Sequence, residues 1–198
     1  MQVLTLDPTS FDEHSARLAQ IIGNSWHIDA LVGVRRGGSF VCDALCKHLR
    51  EEQYGARYDV ELQRPSTKHK NGTLSRILKM FPRPMLDVMR MAESTLLSFR
   101  RTLKSQATMS TKVEIPEGLA SILKTIECPN ILLIDDAIDS GDTLFAISET
   151  LRNINPKITI RIAVITVTTQ NPRIDADFAI YKNKTLIRFP WSNDYKNR

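Results

Sequence analysis

Short apolar runs alternate with amphipathic stretches along most of this chain, which predicts strands separated by helices. The expected strands are 3–6, 29–34, 57–62, 131–134, 158–167, 176–181 and 185–189, and the expected helices begin near residues 10, 40, 116 and 144. This alternation favours a mainly parallel sheet flanked by helices, because parallel strands need crossover connections. We therefore expect a single α/β domain over residues 1–198.

The first helix is predicted to begin at Ser10, because Ser10 and Glu13 have the spacing of a capping box. Its apolar positions recur at helical spacing and predict one buried stripe. The members of this stripe are Phe11, Leu18, Ile21 and Ile22.

A basic segment, residues 61–115, interrupts the alternation. It holds eleven Lys/Arg and four Asp/Glu, so its charge is +7, whereas the whole chain has +5 and the remainder therefore −2. Residues 63–72 are polar and predict a loop, and apolar positions at helical spacing predict a helical part over 84–104. The charge favours an anionic partner at 61–115, for example nucleic acid. The helical part could be a lid, a dimer contact or a docking face for that partner, and its plainest explanation is an extra amphipathic helix packed on the core.

The bulk composition is that of an ordinary soluble protein. Hydrophobic residues make up 42% and charged residues 25% of the 198 residues. No apolar run is long enough to span a membrane, and the N-terminus lacks the pattern of a signal segment. The spacing of a zinc site is absent from the three cysteines, which are Cys42, Cys46 and Cys128. We therefore expect them to be reduced, which favours a cytoplasmic location. We expect no membrane partner.

The most informative stretch runs from Ile131 to Leu144. Four apolar residues lead into Asp135 and Asp136, and the polar loop 139–143 then precedes a helix. Backbone N–H groups at such a turn, together with the helix dipole, favour a bound phosphate. The acid pair can accept hydrogen bonds from a vicinal diol or hold Mg²⁺, so the stretch suits a sugar phosphate. The acids alone would also fit a receiver domain or any buried strand that reaches the surface.

A second candidate anion site is Arg36-Gly37-Gly38, which follows the strand at 29–34. Glycines allow the backbone to aim N–H groups at an anion, and Arg36 adds a positive charge. An ordinary strand-to-helix turn could have the same composition. The anion site is favoured by its position, because ligands of open parallel sheets bind at the carboxyl ends of the strands.

These stretches resemble the type I phosphoribosyltransferases. Residues 131–144 resemble the family's motif for 5-phosphoribosyl 1-diphosphate (PRPP), and residues 32–38 resemble its pyrophosphate loop, which often contains a non-proline cis peptide. The ending 185–191 resembles that of bacterial and archaeal xanthine–guanine and hypoxanthine enzymes, where it belongs to a hood over the base; we place this hood at 175–198. The resemblance implies the type I fold and Mg²⁺-dependent transfer of 5-phosphoribose from PRPP to a purine-like base, as in purine salvage.

The resemblance also implies roles for the matching residues. The PRPP-binding set is Arg36, Gly37, Asp135, Asp136, Asp139, Ser140, Gly141, Asp142 and Thr143, with Asp135 and Asp136 as ligands of Mg²⁺. The base-binding set is Leu186, Ile187 and Thr169. Asp139 takes the position of the aspartate that accepts the purine N7 proton in 6-oxopurine enzymes. From the residues alone, Asp139 could also be the N-cap of the next helix, a role compatible with the first, and Asp142 suits the first turn of that helix.

The chain also departs from the family. Leu186 stands where the family has an aromatic ring against the purine, and no lysine follows the strand at 158–167 to bind the 6-oxygen. We expect the family's flexible catalytic loop at residues 64–71. The alternative function is a non-catalytic regulator of the same fold that senses PRPP or a nucleotide, or binds nucleic acid. In either case we expect a homo-oligomer.

Overall fold

The structure is a computed structural model, and it describes residues 2–24, 26–63, 112–182, 185–192 and 194–195. The expected loop at 64–71 and helical part at 84–104 lie outside the described residues, so both stay predictions. The assignment of the whole chain to one domain also stays a prediction. None of the described helices combines the length and the apolar composition that a membrane span requires.

The elements follow the predicted order, with shifted ends and one additional strand. The largest shift concerns the strand predicted at 131–134, which continues to residue 138 and so includes Asp135 and Asp136. The strands are β1 (Gln2–Thr5), β2 (Ile28–Val34), β3 (Tyr54–Gln63), β4 (Lys112–Glu114), β5 (Asn130–Ile138), β6 (Thr159–Val167), β7 (Phe178–Lys182) and β8 (Thr185–Arg188). The helices are α1 (Pro8–Ile22), α2 (Gly37–Cys46), α3 (Glu117–Thr125) and α4 (Asp142–Ile154), and a 3₁₀ turn covers Glu51–Gln53.

The main sheet has the strand order β4-β3-β2-β5-β6-β7, and β1 and β8 form a separate parallel pair. All neighbours in the main sheet are parallel except β4, which pairs antiparallel with β3. The expected α/β class with a mainly parallel sheet is therefore confirmed. The chain proceeds outward from β2 in one direction and from β5 in the other, so a crevice opens between the carboxyl ends of these two strands.

The main sheet is buried on both faces, which explains why its central strands are almost continuously apolar. In β5, Leu132 and Ile134 point into one core, whereas Ile131 and Leu133 point into the other. Residues of α1 and α2 complete the first core, and residues of α3 and α4 complete the second. Each fully buried Leu or Ile contributes about 1.5–3 kcal/mol to folding, so the two cores fix the strand ends firmly.

The start of α1 differs from the prediction. Asp7, not Ser10, is the N-cap: Asp7 Oδ1 accepts a hydrogen bond from the Ser10 amide at 2.8 Å, and Ser10 Oγ accepts one from the Asp7 amide at 2.9 Å. Pro8 is tolerated in the first turn, because a backbone N–H at this position would have no acceptor within the helix and its absence in proline loses no hydrogen bond. The prediction that Ile21 is buried is wrong: its side chain is 43% exposed, because it lies about 100° around the helix from the buried Ile22.

The start of α2 also differs, because the helix begins at Gly37 rather than Phe40. The loop between β2 and α2 is therefore short, and the two glycines of the candidate anion site lie in the first helical turn. Cys42 and Cys46 lie on α2 and, with Cys128, are free, as expected.

Candidate functional site

The candidate site lies in the crevice at the carboxyl ends of β2 and β5. These strands are neighbours, and Gly33 of β2 is in register with Ile134 of β5. The loop 35–36 leaves β2, and the loop 139–141 leaves β5, at the same edge of the sheet. The fold thus brings together the two anion-binding stretches that the sequence predicted.

The glycines of the first loop lie directly against the acid pair. A Cβ added at Gly37 would overlap the Asp136 carboxylate, so a larger residue would have to displace that side chain. A Cβ at Gly38 would overlap the carbonyl oxygen of Ile134 and would lie 2.8 Å from Cα of Asp135. The loop is therefore more than an ordinary strand-to-helix turn, because its backbone makes close contact with the carboxyl end of β5.

The arginines of this loop differ in their contacts. The peptide bond between Arg35 and Arg36 is cis, which confirms the expectation drawn from the resemblance. Arg35 pairs with Glu61 of β3 at 3.3 Å. Arg36 is exposed at the N-cap position of α2, and within the described part of the chain it forms no ion pair. Arg36 is the side chain of the loop that remains able to contact an anion.

The two carboxylates of the acid pair are held by N–H donors. Asp135 Oδ1 accepts a hydrogen bond from the Asp136 amide at 2.9 Å, and Asp136 Oδ2 accepts one from the indole Nε1–H of Trp191 at 3.2 Å. Among the described residues, no lysine or arginine pairs with either acid. Loss of hydration raises the pKa of Asp135 well above its ordinary value, and the Asp136 charge raises it further. Burial also raises the pKa of Asp136, while the Trp191 N–H opposes that change.

The raised pKa of Asp135 predicts that this residue destabilises the ligand-free protein. The folded state holds the carboxyl proton more tightly than the unfolded state does. The resulting stabilisation is complete below the unfolded pKa of 3.8 and is lost as the pH rises through the folded pKa. Asp135→Asn removes the charge, so at neutral pH it is expected to raise the free energy of unfolding by on the order of 1 kcal/mol and Tm by roughly 2–4 °C. Thermal melts of the protein without any added ligand or metal ion measure this effect.

The pH dependence supplies the control for this prediction. At about pH 4 the gain is expected to shrink, because the wild-type carboxyl is then protonated in the folded state. Asp175→Asn, at an exposed position, is the matched variant and should change Tm little at either pH. A gain of equal size at both pH values would contradict an electrostatic origin.

The second loop borders a small pocket of about 120 Å³. Its lining consists of Asp135, Ala137, Ile138, Asp139, Ser140, Gly141, Thr143 and Leu144. Gly141 has φ of 77° and is the N-cap of α4. Among the described residues, the amides of Asp139, Ser140 and Gly141 donate to no protein acceptor, whereas the Asp142 amide donates to Ser140 Oγ at 3.2 Å. The unpaired amides at a helix N-terminus can bind an anion.

The loop is fixed from outside by the chain that follows β6. The Arg173 amide donates to the Ser140 carbonyl oxygen at 2.7 Å. The Arg173 guanidinium lies 3.8 Å from the centre of the Phe145 ring and 3.5 Å from Asp142 Oδ1. Asp142 lies in the first turn of α4, as the sequence predicted.

Asp139 does not cap α4, so the alternative N-cap interpretation is wrong. The helix begins at Asp142 with Gly141 as its N-cap, and that cap makes no side-chain hydrogen bond. Asp139 is exposed, and its Oδ1 accepts a hydrogen bond from Thr168 Oγ1 at 2.5 Å. Thr168 follows β6 and therefore orients the Asp139 carboxylate from the neighbouring strand. One carboxylate oxygen is held, and the carboxylate remains at the rim of the pocket.

The three residues expected to bind a base differ in accessibility. Leu186 and Ile187 lie on β8 and are buried, and Ile187 packs in the first core with Phe189. Thr169 is half-buried just beyond β6. Only Thr169 of the three has a polar side chain, and it is not among the residues that line the pocket. Base binding by this set stays a prediction.

Sequence reasoning missed two partners of the acidic residues. Thr168 lies directly after the strand at 158–167, where the sequence offered no lysine, and its hydroxyl donates to Asp139. Trp191 belongs to the segment predicted to form the hood, yet its indole N–H donates to Asp136. The Phe-Pro-Trp ending was the available signal for Trp191. No signal in the sequence indicated that Thr168 would reach the loop, because that contact depends on the register of β5 and β6.

Comparison with known proteins matches residues 6–197 to the family model described as the phosphoribosyl transferase domain. No curated protein matches the chain. Several solved structures have a similar fold. A purine phosphoribosyltransferase of Pyrococcus horikoshii is 17% identical with a TM-score of 0.62, and the match covers 100% of this chain and 98% of that one.

Two bacterial structures extend this comparison. A xanthine-guanine-hypoxanthine phosphoribosyltransferase of Helicobacter pylori is 21% identical with a TM-score of 0.56, covering 96% of this chain and 94% of that one. A hypothetical protein of Neisseria gonorrhoeae with bound ppGpp is 18% identical with a TM-score of 0.56, covering 96% and 89%. At these identities the likeness concerns the fold alone.

Proposed function

Because this chain belongs to the phosphoribosyltransferase family, we propose that it transfers 5-phosphoribose from PRPP to a purine-like base and releases pyrophosphate. The observation that carries the proposal is the close contact of the Gly37–Gly38 backbone with Asp135 and Asp136. That contact unites a cationic loop, an acid pair and a loop of unpaired amides in one crevice. PRPP requires such an arrangement, because it carries a diol between two phosphorylated ends.

The two ends of PRPP are assigned to the two loops. The amides of residues 139–141, with the hydroxyl groups of Ser140 and Thr143, would bind the 5′-phosphate at the N-terminus of α4. Asp142 belongs to the same turn. Arg36 and the backbone at Gly37 would bind the pyrophosphate, with the guanidinium as a charge-assisted donor.

The acid pair would hold the ribose hydroxyl groups and Mg²⁺. Within the described residues, no group of three or more His, Cys, Asp or Glu side chains could hold a metal ion by itself. Two carboxylates fit Mg²⁺ nonetheless, because this ion is usually bound by one or two carboxylates together with substrate phosphates. When bound, the ion would neutralise charge on the departing pyrophosphate.

Asp139 would accept the proton that the base loses as its ring nitrogen attacks C1 of the ribose. The bond from C1 to the pyrophosphate oxygen breaks in the same step, and pyrophosphate leaves with those electrons. The Thr168 hydroxyl holds Asp139 Oδ1, so the other oxygen can face the base. A proton acceptor at this position supports a 6-oxopurine-like substrate.

A nucleotide-sensing regulator is the second candidate function. It is favoured by the buried Leu186 and by the segment Thr168-Thr169-Gln170, which provides no ammonium group for a base oxygen. The Neisseria gonorrhoeae protein of similar fold was solved with bound ppGpp, a nucleotide with the same pyrophosphate chemistry. Nucleic acid is a third candidate ligand, which the basic segment 61–115 would bind. Homo-oligomer formation and a cytoplasmic location remain expectations.

Calorimetry with PRPP and Mg²⁺ tests the proposed site. The wild-type protein is expected to bind PRPP, and Asp136→Ala is expected to weaken binding at least about 100-fold, because it removes a charged partner of the diol and the ion. Asp175→Ala is the matched exposed acid and should bind like wild type.

Pyrophosphate release with a panel of bases separates the two functions. Steady release with one base would establish the enzyme. Binding of PRPP or ppGpp without release for any base would favour the regulator, and retention on nucleic acid that falls steeply with salt would favour the third ligand.

A further inference from the structure

The C-terminal segment, of which residues 189–192 and 194–195 are described, folds back so that Trp191 reaches the acid pair. β8 pairs with β1, and the buried Arg188 at its end donates to Asp194 Oδ2 at 2.8 Å and to Thr5 Oγ1 at 3.0 Å. Within the segment, Ser192 Oγ accepts a hydrogen bond from the Phe189 amide at 3.0 Å. The turn that carries Trp191 therefore has a hydrogen bond within it, and the Arg188 side chain links it to β1.

The Trp191 ring is held by aromatic contacts from three parts of the fold. Phe189 stacks on it with centroids 4.8 Å apart and an angle of 7°. Phe11 of α1 meets it edge-on at 5.0 Å, and Phe40 of α2 lies at 4.8 Å with a tilt of 30°. Rotation of the indole would break several of these contacts, so its N–H direction is fixed.

The fixed N–H points at one carboxylate oxygen. Trp191 Nε1 lies 3.2 Å from Asp136 Oδ2, and the backbone at Gly37 lies against the same carboxylate. We propose that Trp191 is a positioning residue, which holds the Asp136 carboxylate against the Gly37 loop in the orientation that receives PRPP and Mg²⁺. This inference rests on the proposed function and deepens it. It makes the C-terminal segment part of the PRPP site as well as of the hood.

A purely structural indole would not need this geometry. The ring is half-buried, and an indole N–H in that position could donate to solvent. Here it donates to Asp136, whose carboxylate is also confined by the backbone at Gly37. Without the N–H, the carboxylate could turn away from the ligand, and PRPP binding would have to reorder it.

Trp191→Phe tests the inference, because phenylalanine keeps an aromatic ring and removes the donor. PRPP binding with Mg²⁺ is expected to weaken roughly ten- to hundredfold, the size associated with one hydrogen bond to a charged group. KM for PRPP should rise more than kcat falls. Trp26→Phe is the matched control: Trp26 is the other tryptophan, and it lies beneath the Arg161 guanidinium at 4.7 Å, beside the amino end of β2. It should leave PRPP binding unchanged.

A second measurement distinguishes positioning from packing. In the Trp26→Phe background, Trp191 gives the sole indole signal in a ¹H–¹⁵N spectrum. Asp136→Ala is expected to move this signal even without ligand. Combining Trp191→Phe with Asp136→Ala should weaken PRPP binding no further than Asp136→Ala alone, because both changes act on the same contact.

The outcomes separate the inference from the function on which it rests. The positioning role would be overturned if wild type and Trp191→Phe bound PRPP equally well, or if Asp136→Ala left the chemical shift of the indole signal unchanged. Either result would leave the proposed function intact. Absence of PRPP binding by the wild-type protein would overturn the proposed function, and the positioning role with it.

Discussion

Asp139→Asn is expected to bind PRPP nearly as wild type does and to lower kcat by roughly 10²–10⁴-fold, the usual contribution of a general base. Asparagine retains the side-chain oxygen that accepts the Thr168 hydroxyl, so its orientation should persist. It cannot accept the proton that leaves the base. Initial rates of pyrophosphate release, combined with calorimetric affinities for PRPP, separate the chemical step from binding.

The control for this prediction is Asp175→Asn, which changes an exposed acid outside the pocket lining. It should leave both kcat and affinity unchanged. An unaltered kcat in Asp139→Asn would exclude Asp139 as the base. A large loss of PRPP affinity would instead make Asp139 a ligand of PRPP.

Gly38→Ala is expected to lower the free energy of unfolding by about 2–3 kcal/mol and Tm by roughly 4–12 °C. The new Cβ would overlap the Ile134 carbonyl oxygen and would lie 2.8 Å from Cα of Asp135. Both atoms belong to the backbone of β5, so no side chain can rotate to make room. Relief requires α2 and β5 to separate, which also displaces the acid pair. Urea and thermal unfolding measure the loss.

Gly118→Ala is the matched control for the Gly38 variant. A Cβ at Gly118 would lie 2.7 Å from Cε1 of Tyr58, near the far end of a half-buried side chain that can turn. Alanine in the first turn of α3 also favours the helix. The control should therefore change stability little. A Gly38→Ala protein as stable as this control would show that the close approach of α2 and β5 is adjustable.

Parallel strands and their loops were predictable from local patterns. β2, β5 and β6 are nearly continuous apolar runs because both faces of the sheet are covered, and this leaves a signal in the sequence. The predicted ends of some elements nevertheless differ from the structure, because neighbouring residues can suit the same terminal position. Asp7 and Ser10 both suit an N-cap, and only the folded helix distinguishes them. β4 is three residues long, too short for a pattern, and it pairs at the sheet edge with β3.

The features of the candidate site likewise fall into those that the sequence predicted and those that it did not. The sequence by itself determined the strand that carries the acid pair, the loop that begins after it at residue 139 and the glycines at 37–38, because each depends on the chemistry of adjacent residues. The end of that loop differs, because α4 begins at Asp142 rather than at Leu144. Only the tertiary structure decided which of these groups meet. The Gly37 backbone reaches Asp136 through the pairing of β2 with β5, Thr168 reaches Asp139 through the pairing of β5 with β6, and Trp191 reaches Asp136 after the chain returns along β1. Such contacts join residues far apart in sequence, and their geometry is set by strand register and core packing rather than by any local pattern.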